Sequence, residues 1–547
     1  MPGKLRFTRQ TLIAAVSVCA ACSLLATAVE AAPQPLLTSH VPEAVTTGLA
    51  PMVGYFPGTV RLSLALSLPL KNEDELNDLL QELYDPESPK YHQYLTVEEF
   101  TERFGASEAD YAAVIDFAQR NGLRASDKAE NRMVLDVEGP AENIEKAFHI
   151  RLGTYQHPTE NRTFYAPDRE PTVDLEVKLL HITGLDDFSL PVAKNTLLSN
   201  TTSKSTGSGP GGSLLGSDLR TAYYGSGPLN GAGRAVGLFE YTGYEMSDIH
   251  NYFNNAGKPL NVQIENVLIN GAGASCPPPC NDSEQALDIE QVISMAPGLT
   301  NLIVYIGKNN VSILNTMASD DAAAQLSCSW GWTDNQSSVD PIFKEMAAQG
   351  QTIVVATGDS GSSTPGNVTW PSDDANVTAV GGTVLTTNGP GGSWKAETGW
   401  SDSAGMPSKN GIPIPSYQQL AGVINSSNGG SNTLRNIPDV AAASVTLYLC
   451  ANGSCKNTGG GTSFAAPQWA GIIAMVNQQR VANGQSHIGF LNPTLYSIGT
   501  GSSFDTDFHD IVSGNNGAYS AVVGYDLVTG WGSPKAANLI NALASAK

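Results

Sequence analysis

Beyond residue 216 the apolar residues fall into short, nearly continuous runs at 235–240, 302–306, 325–330 and 352–357. Runs of this length without alternation predict strands of a parallel sheet buried on both faces. Between the last two, Asp340, Pro341 and Gly350 predict a helix capped at 340, with proline at its first position and glycine just past its end. Strand, helix and strand in that order form a crossover unit, and ligands of such sheets gather at the carboxyl ends of the strands. The expectation is one α/β domain over 216–547, with a central parallel sheet flanked by helices.

The first part of the chain is patterned differently. Helical periodicity covers 73–84, 109–121 and 141–148, and 133–137 reads as a strand, so residues 32–190 predict a separate α+β domain. Residues 191–215 are rich in Ser, Thr and Gly, which predicts an exposed, flexible linker open to proteolysis. At the N-terminus, Lys4, Arg6 and Arg9 precede an uncharged apolar run over 12–28 and small residues ending at Ala31, the pattern of a secretory signal peptide over 1–31. An uncleaved anchor is the alternative, because the run is of marginal length for a membrane span. No later stretch is long and apolar enough, so a soluble exported product, extracellular or periplasmic, is expected with no membrane contact after signal removal.

The formal net charge of −22 argues against a nucleic-acid partner, which would require a basic face. Residues 1–200 hold 28 of the 52 acidic and 17 of the 30 basic residues, leaving the longer remainder sparsely charged. Such a domain builds little self-repulsion when carboxylates protonate, which suits a fold that must persist in acid. Of the seven cysteines, Cys19 and Cys22 belong to the signal segment, while Cys276 with Cys280 and Cys450 with Cys455 form two close pairs. Export favours local disulfides over zinc, for which no histidine stands at finger-like spacing. Cys328 lies in an apolar run and is expected to be a buried free thiol.

The strongest chemical signal is Gly460-Gly461-Thr462-Ser463-Phe464-Ala465-Ala466-Pro467, followed by a helical apolar pattern from Trp469. The glycines let the backbone approach closely, and Ser463 falls at a helix N-terminus, where free amides and the helix dipole favour developing negative charge. A serine hydroxyl needs a base to become a nucleophile. The histidines beyond the linker are His250, His487 and His509, and none has a catalytic context. Carboxylates are the alternative. Glu284 and Asp288, four apart in a helical segment running toward Met295, share a helix face, and are either an incidental pair or close enough to share a proton. Asp359 follows the 352–357 run in a glycine turn, which places it either as an Asx-turn residue or as a carboxyl aimed into the crevice.

Ser463 in GTSFAAP, the Glu284 and Asp288 pair, and Asp359 in TGDSG together resemble the sedolisin family of serine-carboxyl peptidases, as do Ser329-Trp330-Gly331 and Val380-Gly381-Gly382-Thr383. The resemblance implies a subtilisin-like fold made as a zymogen, with Ser463 as nucleophile and Glu284 as general base and acid. It further implies that Asp288 orients Glu284 and that Asp359 forms part of the oxyanion hole. Asp359 must then be protonated while Glu284 is ionised, a combination expected only at acidic pH. Near the C-terminus, Asp510 and Ile511 together with Val522, Gly524 and Asp526 resemble the family's Ca2+ site, in which two aspartates and backbone carbonyls supply oxygen ligands. Two departures stand out: Val522 replaces the first glycine of the calcium loop, and Ser401-Asp402-Ser403-Ala404-Gly405 replaces a run of glycines beside the substrate cleft. The expected activity is endopeptidase cleavage of protein or peptide substrates by a monomer, with the prodomain as intramolecular inhibitor. A tripeptidyl-peptidase of the same family and a non-catalytic binding protein on the same scaffold are the alternatives.

Overall fold

The computed structural model of the protein describes residues 34–126, 129–197, 206–277, 279–333, 336–362 and 369–546. The expected signal peptide and the middle of the expected linker, 198–205, lie outside the described residues.

The N-terminal domain is built on a four-stranded antiparallel sheet. Its strands are β1 (Arg61–Ser67), β2 (Arg124–Ala125), β3 (Val134–Pro140) and β4 (His181–Thr183), in the order β2-β3-β1-β4. Helices α1 (Glu73–Leu83), α2 (Val97–Phe104), α3 (Glu108–Arg120) and α4 (Ala141–Ala147) accompany it. Thr96 starts α2 with a reciprocal capping box: its hydroxyl accepts from Glu99 N–H while the Glu99 carboxylate accepts from Thr96 N–H. Leu64, Val114, Phe117, Leu135, Ile144 and Phe148 fill one side of the domain.

Its other side joins the second domain. Leu76, Leu79 and Leu83 of α1 and Phe100 and Phe104 of α2 belong to the same buried cluster as Val311, Leu314, Val339, Ile342 and Phe343. Burial of apolar side chains supplies the attraction here, and hydrogen bonds set the register. The buried Asn131 amide donates to Asn315 Oδ1 and to Glu345 Oε2, both at 2.8 Å. Ser312 Oγ donates to Asp136 at 2.6 Å, and Tyr84 O–H donates to the Ala347 carbonyl at 2.6 Å.

The described parts of the expected linker, 191–197 and 206–215, are packed against the second domain and are not the free chain that composition suggested. Two short strands, β5 (Val192–Ala193) and β6 (Thr196–Leu197), are paired into the second domain, and Leu214 and Leu215 are buried. Ser, Thr and Gly report low hydrophobicity, whereas this segment is held by backbone pairing, which side-chain composition does not reveal.

The second domain carries β7 (Ala235–Glu240), β8 (Gln263–Leu268), helix α5 (Ser283–Met295), β9 (Asn301–Ile306), α6 (Asn310–Asp320), β10 (Gln325–Cys328) and β11 (Trp330–Gly331). Next come α7 (Gln336–Ala348), β12 (Thr352–Ala356), β13 (Thr378–Thr387), β14 (Trp394–Gly399), β15 (Val440–Ala443), β16 (Val445–Ala451), β17 (Ser454–Gly460) and α8 (Ala465–Ala482). The main sheet runs β8-β9-β7-β10-β12-β13, all parallel, with β15 parallel and β14 antiparallel on β13. α5 and α8 cover one face, and α6 and α7 cover the other. Both faces being covered explains why these strands are apolar without alternation.

Two expected boundaries move. The run at 325–330 is divided at Ser329, so β10 and β11 are separate. The crossover helix begins at Gln336 and contains Pro341 internally, because Ser338 and Val339 are drawn into the core and Asp340 pairs with Lys344 at 2.9 Å instead of capping. Gly350 does follow the helix end, at φ +79°. Cys276 with Cys280 and Cys450 with Cys455 stand at disulfide-bonding distance, and Cys328 is buried and free.

The Asn131 bridge yields a stability test. Asn131→Ala strips a buried partner from Glu345 and Asn315 and is expected to destabilise the full-length precursor by about 1–3 kcal/mol. Urea unfolding monitored by tryptophan fluorescence reads the change.

Candidate active site

Ser463 is presented by a tight connection. β17 ends at Gly460, Gly461 adopts φ +136°, and residues Thr462–Phe464 form a single 3-10 turn that runs straight into α8. A side chain at 461 would collide with the Lys194 carbonyl oxygen and with Asp359 Oδ2, so both the conformation and the space require glycine. The N–H groups of Ser463, Phe464 and Ala465 donate to the Lys194, Gly461 and Thr462 carbonyls, and the α8 dipole adds positive potential at this end.

Three sheet and helix ends converge on this turn. α5 carries Glu284 in its first turn and Asp288 one turn later, both fully buried, on the face that meets Ser463. Asp359 follows β12 through Gly358, whose φ of +118° lets the chain bend across the sheet edge. Asp359 Oδ1 accepts from Thr462 N–H at 2.8 Å and from Thr462 Oγ1 at 2.9 Å, while Oδ2 has no hydrogen-bond partner among the described residues. Glu284 Oε2 accepts from the Asn195 amide, while Oε1 is uncommitted. The Ser463 hydroxyl donates to the Ser329 carbonyl at 3.3 Å, and Ser463 also favours the ionised form of Glu284. The four residues expected from the sequence are therefore brought together.

A fourth carboxyl was missed. Glu240, the last residue of β7, is fully buried; its Oε2 accepts from Trp330 Nε1 at 3.0 Å. Asp288 Oδ1 accepts from Ser329 Oγ at 2.9 Å. Among the described residues the remaining oxygens, Glu240 Oε1 and Asp288 Oδ2, have no donor, and the Glu240 carboxyl disfavours the charge of Asp288. Two carboxyls in that relation hold a proton between them. The available signal was an acidic residue terminating an otherwise apolar strand.

Desolvation dominates the electrostatics. It pushes the Asp359 carboxyl up to about 7, against hydrogen bonds from Thr462 and the charge of Lys194, which lower it. It also raises Glu284, with Ser463, Asn195 and Lys194 opposing the shift and Asp359 adding to it. Asp288 and Glu240 are raised well above the ordinary range, first by burial and then by each other and Glu284.

The cleft is filled by the chain itself. β5 pairs antiparallel with β11, and β6 pairs antiparallel with β17, so residues 192–197 pass across Ser463. Histidine takes no part: His509 stacks on Trp394 at 4.0 Å, and His487 lies against Arg234 at 3.0 Å.

At the second expected site, backbone donors hold both aspartates. Gly524 N–H donates to both oxygens of Asp510 at 3.2 and 3.3 Å, and Val522 N–H donates to Asp526 Oδ2 at 3.0 Å. Asp526 is buried, and no ion pair neutralises it among the described residues; burial pushes its carboxyl up to about 7. The carbonyls of Ile511, Val522 and Gly524 accept no backbone hydrogen bond among the described residues. Two carboxylates and uncommitted carbonyls are the donor set of a hard cation.

A serine at a helix start, on a parallel sheet covered by helices, with its partners at strand ends, defines a serine peptidase domain of subtilisin-like build. Comparison with known proteins agrees. Residues 52–188 match the Pro-kumamolisin activation domain, and residues 280–488 match the Subtilase family. The chain is 29% identical to Kumamolisin of Bacillus sp. (strain MN-32), over 90% of this chain and 93% of that protein. It is 27% identical to Sedolisin of Pseudomonas sp. (strain 101), over 87% and 86%, and 26% identical to Tripeptidyl-peptidase 1 of Rattus norvegicus, over 88% and 91%. A solved Pseudomonas sedolisin, a serine-carboxyl proteinase complexed with pseudo-iodotyrostatin, superimposes with a TM-score of 0.53 at 26% identity, covering 62% of this chain and 98% of that one. Over most of its length the chain is similar to the sedolisin-type serine-carboxyl peptidases, and it carries a Pro-kumamolisin activation domain followed by a subtilase-type peptidase domain.

The buried carboxyls determine how stability varies with pH. A carboxyl whose folded pKa is raised contributes stability that is complete below its ordinary value, 3.8 for Asp359 and 4.5 for Glu345. That contribution is lost as pH rises toward the folded values, about 7 and about 8. Glu138, held down to about 2 by Arg61 and Arg124, works in the opposite sense, but it is exposed and screened. The precursor is therefore expected to unfold at a higher temperature at about pH 4 than at about pH 8, as read by differential scanning calorimetry.

Proposed function

We propose that the chain is the exported precursor of an acid-acting endopeptidase that hydrolyses peptide bonds through an acyl-enzyme on Ser463. The observation that carries this reading is the convergence of the Ser463 turn with two uncommitted carboxylate oxygens, Glu284 Oε1 and Asp359 Oδ2. Glu284 takes the serine proton and returns it to the leaving amine. Asp288, tied to Ser329 and sharing a proton with Glu240, keeps Glu284 in position. Asp359, anchored by Thr462 through one oxygen, donates from the other to the oxyanion.

The pH dependence follows from how much charge the site can hold. Four buried carboxyls tolerate one negative charge far more readily than two. Burial raises both candidates, Glu284 to about 8 and Asp359 to about 7, and Lys194 with hydrogen-bond donors opposes each shift; the charge is assigned to Glu284 because it is the group that must accept the Ser463 proton. Ionisation of Asp359 as pH rises through about 7 removes the oxyanion donor, so activity declines toward neutrality.

Passage of an unbroken chain across the cleft favours endopeptidase action, because the side of the cleft preceding Ser463 stays open to residues that continue into the N-terminal domain. The same occupancy supports the N-terminal domain, residues 32–190, as an intramolecular inhibitor. Export rests on the N-terminal pattern over 1–31. Among the described residues no helix is long and apolar enough to cross a membrane.

Ser463→Ala is expected to abolish turnover, a loss on the order of 10⁶-fold in kcat. Asp359→Ala is expected to lose on the order of 10²–10³-fold, while Asp359→Asn, which donates at every pH, retains part of the activity and lacks the decline near pH 7. Cleavage of an internally quenched peptide across a pH series measures all three.

Asp510 and Asp526, with the carbonyls of Ile511, Val522 and Gly524, would hold Ca2+, which would tie the C-terminal loops together. Added calcium is expected to raise the unfolding temperature of the wild type, chelator is expected to lower it, and Asp526→Ala is expected to remove the difference. Differential scanning fluorimetry reads that outcome without reference to activity.

A further inference from the structure

Residues 192–197 lie in the cleft as a substrate would. Lys194 N–H donates to the Ser329 carbonyl at 3.0 Å, and Ser463 N–H donates to the Lys194 carbonyl at 3.0 Å. One residue is thus fixed through both of its backbone groups, with its carbonyl oxygen on the amide of the serine itself. On the upstream side, Val192 and Ala193 are in register with Gly331 and Trp330. On the downstream side, Thr196 and Leu197 are in register with Gly460 and Gly459. The unit between the two strands is the Lys194–Asn195 peptide, and the space left by Gly461 is bounded by the Lys194 oxygen, the Asn195 Cα and Asp359 Oδ2.

The side chain of Lys194 is equally committed. It is 3% exposed, and its Nζ donates to the Ala356 carbonyl at 2.7 Å, at the end of β12. Burial pulls its ammonium down to about 8, and Cys328, Asp359, Asp373 and Glu284 oppose that shift. Asp373 is buried, held by Ser408 Oγ at 2.7 Å and by the Asn410 amide, and plays no part in the chemistry described above. An acidic side chain in this pocket would face those three carboxyls, and a short one would not reach the Ala356 carbonyl.

We infer that Lys194–Asn195 is the bond the enzyme cuts to free itself from its N-terminal domain, and that the pocket around Lys194 selects lysine in other substrates. The inference rests on the assignment of Ser463 as nucleophile. In the step, Ser463 Oγ bonds to the Lys194 carbonyl carbon, and its proton passes to Glu284. The Lys194–Asn195 C–N bond breaks, and the Asn195 nitrogen leaves with that proton as a free amine. Water then cleaves the acyl ester, leaving a Lys194 carboxylate and restoring the serine.

The test is acidification of purified precursor, with mass spectrometry of the first product to appear. Its amino terminus is expected to be Asn195, and any other first amino terminus overturns the inference. A Ser463→Ala precursor treated in parallel separates the two readings. If it is cut as well, the assignment of Ser463 fails; if it stays intact while the wild type opens at another bond, the present inference alone fails. The pocket is probed with the processed enzyme and the peptide Pro-Val-Ala-Lys-Asn-Thr-Leu, matching residues 191–197, which avoids any folding defect of a Lys194 variant. Replacing its lysine by glutamate is expected to lower kcat/KM by about tenfold or more, and equal rates for the two peptides would overturn the assignment of the pocket.

Discussion

Removing a carboxyl group from water makes its charge expensive, and the active region of this chain is organised around that cost. Glu240, Glu284 and Asp288 are fully buried and Asp359 is partly buried with its Oδ2 enclosed, and they come from a strand end, two turns of one helix and a glycine bend. In a solvated site these groups would all be ionised well below neutrality and would repel one another. Burial converts them into a set of proton holders in which one can act as acceptor and another as donor. Thr462 holds one oxygen of Asp359 and Ser329 holds one of Asp288, which fixes how each group is oriented.

The parallel sheet makes that arrangement possible. Its strands end on one edge, so residues far apart in sequence, Glu240, Ser329 and Asp359, emerge side by side. α5 and α8 pack on the same face and bring Glu284 and Ser463 to that edge. The opposite face is closed by α6 and α7, and these in turn carry the N-terminal domain. One domain face therefore handles the chemistry while the other handles docking, with the sheet between them.

Much of this was legible in the sequence because burial on both faces leaves unbroken apolar runs, and β7, β9, β10 and β12 lie where those runs lie. Ser463, Glu284, Asp288 and Asp359 were legible because glycine turns and helix spacing constrain where such side chains can point. The break at Ser329 was hidden, since only contacts with Asp288 and Lys194, distant in sequence, explain why the strand stops there. Glu240 was passed over as the end of a strand, because nothing local shows that Trp330 and Asp288 await it. The segment around Lys194 was misread for the same reason: its order comes from partners more than a hundred residues away.

The docking face has a kinetic consequence once the chain is severed. Before cleavage, the interface at α6 and α7 and the strand in the cleft are two halves of one tether, so each holds the other at high effective concentration. Afterwards the N-terminal fragment is retained only by its own affinity, and its departure becomes a matter of mass action. Escape from the fragment is then more complete in dilute solution than in a concentrated one, which makes the volume that holds the protein a control on how much of it is free of its own fragment.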